Sequence, residues 1–378
     1  MKTIYLDNAA TTSMLPEVID LVSDLMKTTY GNPSSTHHIG RKSKSLVETA
    51  RKNIAKHFKA APNEIVFTAG GSEADNLILK NAVENLGVKT IISSKIEHHA
   101  VLHTIEFIEK NYNVEVKWLD IDENGVINFN QLEGFLKLDS SKKLVSLMYV
   151  NNEIGNILNI QKVSDLCIEN NAYFHSDAVQ AVGHFNFDVQ QTPIDFFAAS
   201  AHKFHGPKGV GFAYIKNGIG IQPLLLGGEQ ERGARAGTEN VHSILGMEEA
   251  LKIAYQNINI ETVKIQALKN YFIAQLKQNL DEVKFNGFSE DITKSSYIIL
   301  NVRFPKDYSM MLFSLDLKGI AVSGGSACQS GSNKGSHVLN TILNEDEAKK
   351  TSIRFSFSKF NTKEELDTVI KVLKELKI

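Results

Sequence analysis

The sequence predicts an α/β protein in which a large domain with a mostly parallel seven-stranded sheet precedes a smaller α+β domain. Three observations carry this expectation. Short β-branched runs alternate with helical stretches between residues 64 and 215, the pattern of a parallel sheet covered on both faces. That rhythm breaks near residue 240, where longer helical stretches lead to well-separated strands. The chain, at 378 residues, is long enough to bury one sizeable core and a second, smaller one. The expected division is 15–257 for the large domain, and 1–14 with 258–378 for the small one.

Taken in order, PEVIDLVSDLM (16–26) repeats apolar residues at helical spacing, with Pro16 suited to a first turn. HHIGRKSKSLVETARKNIAKHF (37–58) reads as a second, basic helix. Five strands follow, at EIVFT (64–68), TIISS (90–94), EVKWLDI (115–121), LVSLMYV (144–150) and AYFHSD (172–177). Helical stretches at 72–86, 99–112 and 160–171 separate them. IDFFAAS (194–200) and GVGFAYI (209–215) complete the set of seven. Beyond residue 240, NVHSILGMEEALKIAYQ and ETVKIQALKNYFIAQLKQNL read as two long helices. Strands at 295–304 and 351–357 and a final helix from 362 close the chain, and the first dozen residues are expected to return to this part.

Composition narrows the function. The formal charge is −2, with no basic stripe or acidic tail, so nothing points to nucleic acid or an anionic membrane surface. MKTIYLDNAATT has no apolar leader, and no apolar run approaches the ~20 residues of a membrane span. The two cysteines, Cys167 and Cys328, exclude a disulfide framework and a four-cysteine zinc site, and a cytoplasmic location is expected. His99 and His103 have a helical zinc spacing, but neither a third ligand nor an HExxH pattern accompanies them, and no metal is expected.

In an open parallel sheet, ligands sit beyond the carboxyl ends of the strands. After EIVFT comes AGGSEADN, where Gly70 and Gly71 allow close approach of backbone. Ser72 is suited to cap a helix whose free N–H groups would face a phosphate. Neither GxGxxG nor GxxxxGK[ST] is present, and the stretch taken alone reads more readily as an ordinary strand-to-helix turn. Asp177 closes a strand expected to be buried, where a carboxylate needs a partner. It reads as a helix cap, a structural ion pair or an anion aimed at a protonated heterocycle. Lys203, in SAHKFHGPKGVG, sits in an irregular turn between two strands, where desolvation would make its amine a nucleophile for a carbonyl. Phosphate turn, carboxylate and lysine at successive strand ends together describe a site for pyridoxal 5'-phosphate.

YLDNAATT (5–12), YGNPSSTH (30–37), TAGGSEADN (68–76), EHHAV (97–101), VNNEIGN (150–156), HSDAVQ (175–180), SAHKFHGPKGVG (200–211), ERGARAGTEN (231–240), SGGSACQS (323–330) and SIRFS (352–356) occur in this order. The series resembles that of the cysteine desulfurases, pyridoxal-phosphate enzymes of the class V aminotransferase group with fold type I. SGGSAC is similar to the branch with a long cysteine loop, which serves iron–sulfur cluster assembly and tRNA thiolation. The resemblance implies conversion of L-cysteine to L-alanine, with the sulfur held on an enzyme cysteine as a persulfide.

It further implies roles. Lys203 matches the Schiff-base lysine and Cα proton carrier, Asp177 the partner of the pyridine nitrogen, and His98 the histidine stacked on the ring. Gly71, Ser72, Ser200 and His202 match phosphate-binding positions, and Asn152 and Gln180 the amides at the phenolic oxygen and substrate. Thr238 matches a threonine reaching the phosphate of a neighbouring subunit, which implies a homodimer. Arg354, which on its strand alone could equally face outward, matches the clamp for the substrate carboxylate. Cys328 matches the sulfur-accepting nucleophile. Its surroundings are small residues, as expected of a loop that moves, whereas Cys167 lies in an apolar run and is assigned to the core. The implied partners are L-cysteine and a sulfur acceptor such as an iron–sulfur scaffold protein. Departures occur at Asn333-Lys334-Gly335, where a more apolar, proline-containing stretch is usual, and at Glu229, a frequent glycine position. They bear on the acceptor rather than on the reaction. Selenocysteine lyase, another class V aminotransferase and a non-catalytic interaction scaffold are the competing readings.

Overall fold

Burial on both faces explains why the middle of the chain forms strands. In the computed structural model, which describes residues 3–308, 310–324 and 335–376, the chain opens with β1 (Ile4–Tyr5), α1 (Pro16–Thr28) and α2 (His38–His57). Alternation then gives β2 (Ile65–Thr68), α3 (Gly71–Glu84), β3 (Thr90–Ser94), α4 (His99–Asn111), β4 (Glu115–Leu119), α5 (Phe129–Lys137), β5 (Lys143–Ser146), α6 (Ile160–Glu169), β6 (Tyr173–Asp177), β7 (Phe196–Ser200) and β8 (Gly211–Ile215). These strands form one seven-stranded sheet in the order β2-β8-β7-β6-β5-β3-β4. Only β8 runs antiparallel to its neighbours, so Thr68, Ser94, Ser146, Asp177 and Ser200 end on a single edge. That edge is where the motif turns emerge.

One face of the sheet packs Phe58, Phe197 and Phe212 with α1, α2 and the start of the next long helix. The other packs Leu77, Ile78, Val101 and Ile105 of α3 and α4. Burying an aromatic or branched side chain of this size contributes roughly 1.5–3 kcal/mol, so both faces drive the alternation seen in the sequence.

Helix α7 (Val241–Asn279) is one continuous helix, a correction to the two helices expected at 240–256 and 261–280. The intervening QNINIE carries neither proline nor glycine, so nothing breaks the backbone ladder. Its first half, including Ile244 and Met247, joins the core beneath the large sheet. Its second half, including Leu268 and Phe272, joins a separate core. There β9 (Lys284–Phe285), β10 (Ile299–Arg303), α8 (Met311–Leu317), β11 (Ile320–Ala321), β12 (Ser352–Ser356) and α11 (Lys363–Glu375) assemble, while α9 (His337–Ile342), followed by α10 (Glu345–Ala348), packs Val338, Leu339 and Ile342 against Ile96 and Ile154 in a small cluster of its own. An antiparallel sheet, β12-β10-β9, and the parallel pair β1-β11 are the strands of the separate core. Ile4, Leu6 and Ala9 lie in this second core.

Smaller differences from expectation have local causes. Helix α5, in FNQLEGFLK, was not anticipated, and Asn128 caps it by accepting the Gln131 N–H. The strand expected over 144–150 covers Lys143–Ser146; pairing with β3 ends at Ser146, and the Met148 N–H on that side goes to the Glu97 carboxyl at 2.8 Å instead.

Candidate active site

The terminal segment YLDNAATT lies across the turn that carries Lys203. Thr12 bonds the His202 carbonyl through both its N–H and its hydroxyl at 2.9 Å, and its hydroxyl accepts from the His205 N–H at 2.8 Å. Lys203, closing a 3₁₀ turn after β7, donates from Nζ to the carbonyls of Ala9 at 2.7 Å and Ala10 at 2.8 Å. Gln180 Nε2 also donates to the Ala9 carbonyl, at 2.8 Å. The lysine is thus aimed by residues almost two hundred positions away in sequence.

Lys203 opens on a cavity of about 200 Å³. Its lining brings together Gly71, Ser72, Ser200 and His202 with Asp177, Gln180, His98, Asn152 and Arg354. Ten of the twelve site residues expected from the sequence therefore converge on one cavity. Thr238 does not; it is exposed, on a segment that Arg235 pins to Glu73 of α3 at 2.8 Å. Cys328 lies outside the described residues.

The start of α3 has the form of an anion cradle. Its cap is Gly70, at φ 154°, rather than Ser72, and no side chain caps it. The first-turn N–H groups consequently have no partner within the helix. A Cβ on Gly71 would stand 2.6 Å from Val179 Cγ2, so the close approach requires glycine. His202 is pushed down to about 4 by burial and by Lys203 and Lys208, and its Nδ1 faces Thr11 Oγ1 at 3.1 Å. It is neutral near pH 7.

His98 caps α4, its Nδ1 accepting the Ala100 N–H at 3.1 Å. Burial lowers its basicity, with Asp177 opposing the shift, so the neutral ring carries its proton on Nε2. Asp177, buried at the end of β6, accepts the Val179 N–H at 3.0 Å.

Arg354 is 1% exposed, so it faces inward rather than outward on β12. It donates from Nη1 to the Asn152 carbonyl at 2.7 Å and from Nη2 to Asp7 at 2.9 Å. Its Nε has no acceptor among the described residues. A buried guanidinium with an unfilled donor at a cavity wall is suited to an incoming carboxylate.

Sequence reasoning missed Asp75, which also lines the cavity. The signal was present: Asp75 follows Gly71 by four residues and so shares its helix face. It missed as well the part played by the Ala9 and Ala10 carbonyls, which no side-chain pattern announces. Cys167 is buried, and burial raises its thiol, consistent with a core residue. The rings of His103 and His337 lie against that of His99, at centroid distances of 4.9 and 4.4 Å. Among the described residues, however, no group of three His, Cys, Asp or Glu side chains is arranged to hold a metal ion.

The donor set fits pyridoxal phosphate: a glycine-lined helix start for the phosphate, a buried carboxylate for the ring nitrogen and an amine for the aldehyde. Comparison with known proteins agrees. A family model described as aminotransferase class-V matches residues 4–369. The cysteine desulfurase IscS of Dictyoglomus turgidum is 41% identical over 380 aligned residues, covering 99% of this chain and 94% of that protein. A solved NifS-like protein superimposes with a TM-score of 0.90 at 34% identity, covering 99% of both chains. A structure described as SspA in complex with cysteine gives 0.81 at 30% identity, covering 95% of this chain and all of that one. Agreement of this extent, along nearly the whole sequence and in the fold that builds the cavity, makes the chain a member of the aminotransferase class-V family and, within it, of the cysteine desulfurases.

Proposed function

We propose that the protein converts L-cysteine to L-alanine as a pyridoxal-phosphate-dependent cysteine desulfurase and retains the sulfur on Cys328 as a persulfide. The observation that carries this reading is the meeting of Lys203, Asp177 and Arg354 at one cavity. Bound pyridoxal phosphate supplies an electron sink that loosens bonds at the Cα and Cβ of an amino acid. Gly71, Ser72, Ser200 and His202 hold the phosphate, and Asp177 faces the ring nitrogen. Asn152 and Gln180 set the orientation of ring and substrate, while Arg354 holds the substrate carboxylate. Lys203 carries the proton at Cα. His98 covers the ring and is the acid or base beside the departing sulfur. Cys328 attacks the substrate sulfur as a thiolate. An S–S bond forms and the Cβ–S bond breaks, its electron pair staying with carbon, which is protonated on the way to alanine. The persulfide is then available to a thiol of an acceptor, such as an iron–sulfur scaffold protein or a tRNA-thiolation partner.

Incubating the cofactor-loaded protein with L-cysteine and a reductant tests the reaction. Alanine and sulfide are expected in equal amounts. Alanine without sulfide, a keto acid in place of alanine, or no product at all would overturn the assignment.

We also propose a homodimer, with Thr238 facing the phosphate site of the second copy. Exposed apolar side chains near Thr238 support it: Leu226 is 88% exposed and Tyr30 75%. The Ala236 N–H to Leu225 carbonyl bond, 3.4 Å, and the His242 to Thr29 carbonyl contact, 2.7 Å, bring both beside the Thr238 segment. Sedimentation of the loaded protein is expected at twice the chain mass, and a monomer at micromolar concentration would refute this. The two cores support a large domain over 15–257 and a small one from 1–14 and 258–378. No helix among the described residues is long and apolar enough to cross a membrane, and we propose a cytoplasmic location.

A further inference from the structure

Behind Asp177, the cavity wall holds a second buried carboxyl that the proposed reaction does not use. Asp75, on the inward face of α3, is 1% exposed, and neither of its oxygens accepts a hydrogen bond from the described residues. Its near neighbour is His175, two residues before Asp177 on β6 and therefore on the same side of the sheet. His175 Nε2 lies 3.3 Å from Asp75 Oδ1 yet is not aligned for a ring N–H to donate, and it too has no hydrogen bond. The other ring nitrogen faces Ser146 Oγ at 2.9 Å.

A carboxylate left bare in such a place is costly, and an adjacent like charge raises the cost. Asp177 provides that charge. A carboxylic acid removes both difficulties, because it carries no charge to be solvated or repelled, and it leaves His175 free to stay neutral beside it, 3.3 Å away. We propose that Asp75 is a neutral carboxylic acid, a positioning residue that with the neutral His175 leaves the negative charge of this wall on Asp177 alone, opposite the cofactor nitrogen. The inference rests on the proposed function only for the purpose of that charge, not for the protonation itself.

The surrounding groups agree. Burial first, then Asp177 and Glu97, push Asp75 well above the usual carboxylate range. Burial pushes His175 down to about 3, so it does not supply a compensating cation. Glu97, engaged by Ser94 Oγ at 2.6 Å and the Met148 N–H at 2.8 Å, is itself raised to about 8, burial again being the main cause. His98 and Lys203 face the same cavity from α4 and from the turn after β7. Asp177 accepts the Val179 N–H, whereas neither oxygen of Asp75 accepts a hydrogen bond among the described residues.

Infrared spectroscopy of the full-length protein in heavy water, with pyridoxal phosphate removed and then restored, tests the assignment. At neutral pH the wild-type spectrum is expected to contain the carbonyl band of a protonated carboxyl that Asp75→Asn loses. Asp75→Asn, neutral like the acid it replaces, is expected to leave the pH titration of the bound cofactor's visible absorption unmoved. Should that variant fail to fold, wild-type protein carrying carboxyl-13C aspartate answers the same question, since the band must shift on labelling. No aspartate-derived band at neutral pH, or a displaced cofactor titration in Asp75→Asn, would overturn the proposal. Failure of the protein to bind pyridoxal phosphate would instead count against the proposed function and leave the band in place.

Discussion

Replacing Lys203 by alanine is expected to lower alanine and sulfide formation by at least ~10²–10⁴-fold, the usual contribution of a positioned acid–base group. Loss of the covalent anchor for the aldehyde adds to that. Folding should change little. The Ala9 carbonyl keeps the Gln180 amide as a donor, and Thr12 still ties the N-terminal segment to the His202 carbonyl. The variant is therefore expected to melt near the wild type and to retain pyridoxal phosphate through the α3 cradle, while reduction with borohydride no longer fixes the cofactor to the chain. Mass spectrometry of the reduced wild type should locate the pyridoxyl adduct on Lys203. An adduct elsewhere, or a Lys203→Ala enzyme with normal turnover, would defeat the assignment.

Arg354 presents a different balance, because the same guanidinium serves the fold and the substrate. It links three segments, donating to Asp7 near the N-terminus and to the Asn152 carbonyl while its own strand pairs with β10. Arg354→Leu leaves Asp7 without its cation, and breaking a buried pair of this kind costs about 3–5 kcal/mol. The 18% exposure of the Asp7 side chain places the loss toward the lower figure. Arg354→Lys keeps the charge but not the planar fork. Losing a charge-assisted hydrogen bond worth ~1.5–3 kcal/mol should raise KM for L-cysteine about 10- to 100-fold, with kcat changing less. Thermal melts and steady-state kinetics on the two variants separate the contributions. An Arg354→Lys enzyme with unaltered KM would show that the substrate carboxylate is held elsewhere.

The strand–helix alternation was legible because each element buries a face set by its own residues, so local patterning carries the information. The same holds for the turns. Gly71, Asp177, Ser200 and Lys203 all follow or close strands, and parallel strands deliver such residues to one edge. The long helix α7 was divided in the reading because QNINIE is polar enough to resemble a connection. No residue there breaks a helix, and packing against two cores decided the matter. Ser72 was assigned the helix cap on residue type, but the tight approach of Gly70 and Gly71 to β7 and Val179 starts α3 earlier.

Contacts between distant parts of the chain had no local signature. Arg354 reads on its strand as able to face either way. Its inward orientation depends on Asp7 and Asn152, 347 and 202 residues away in sequence. The carbonyls that orient Lys203 belong to two alanines, whose side chains announce nothing. Asp75 had a helical position that pointed inward, yet its protonation depends on an uncompensated neighbour brought up by a different strand. Periodicity and turn chemistry act over a few residues and could be read directly. Charge state and aim in a buried site depend on which remote groups share the same low-dielectric space, and closure of the chain alone supplies that.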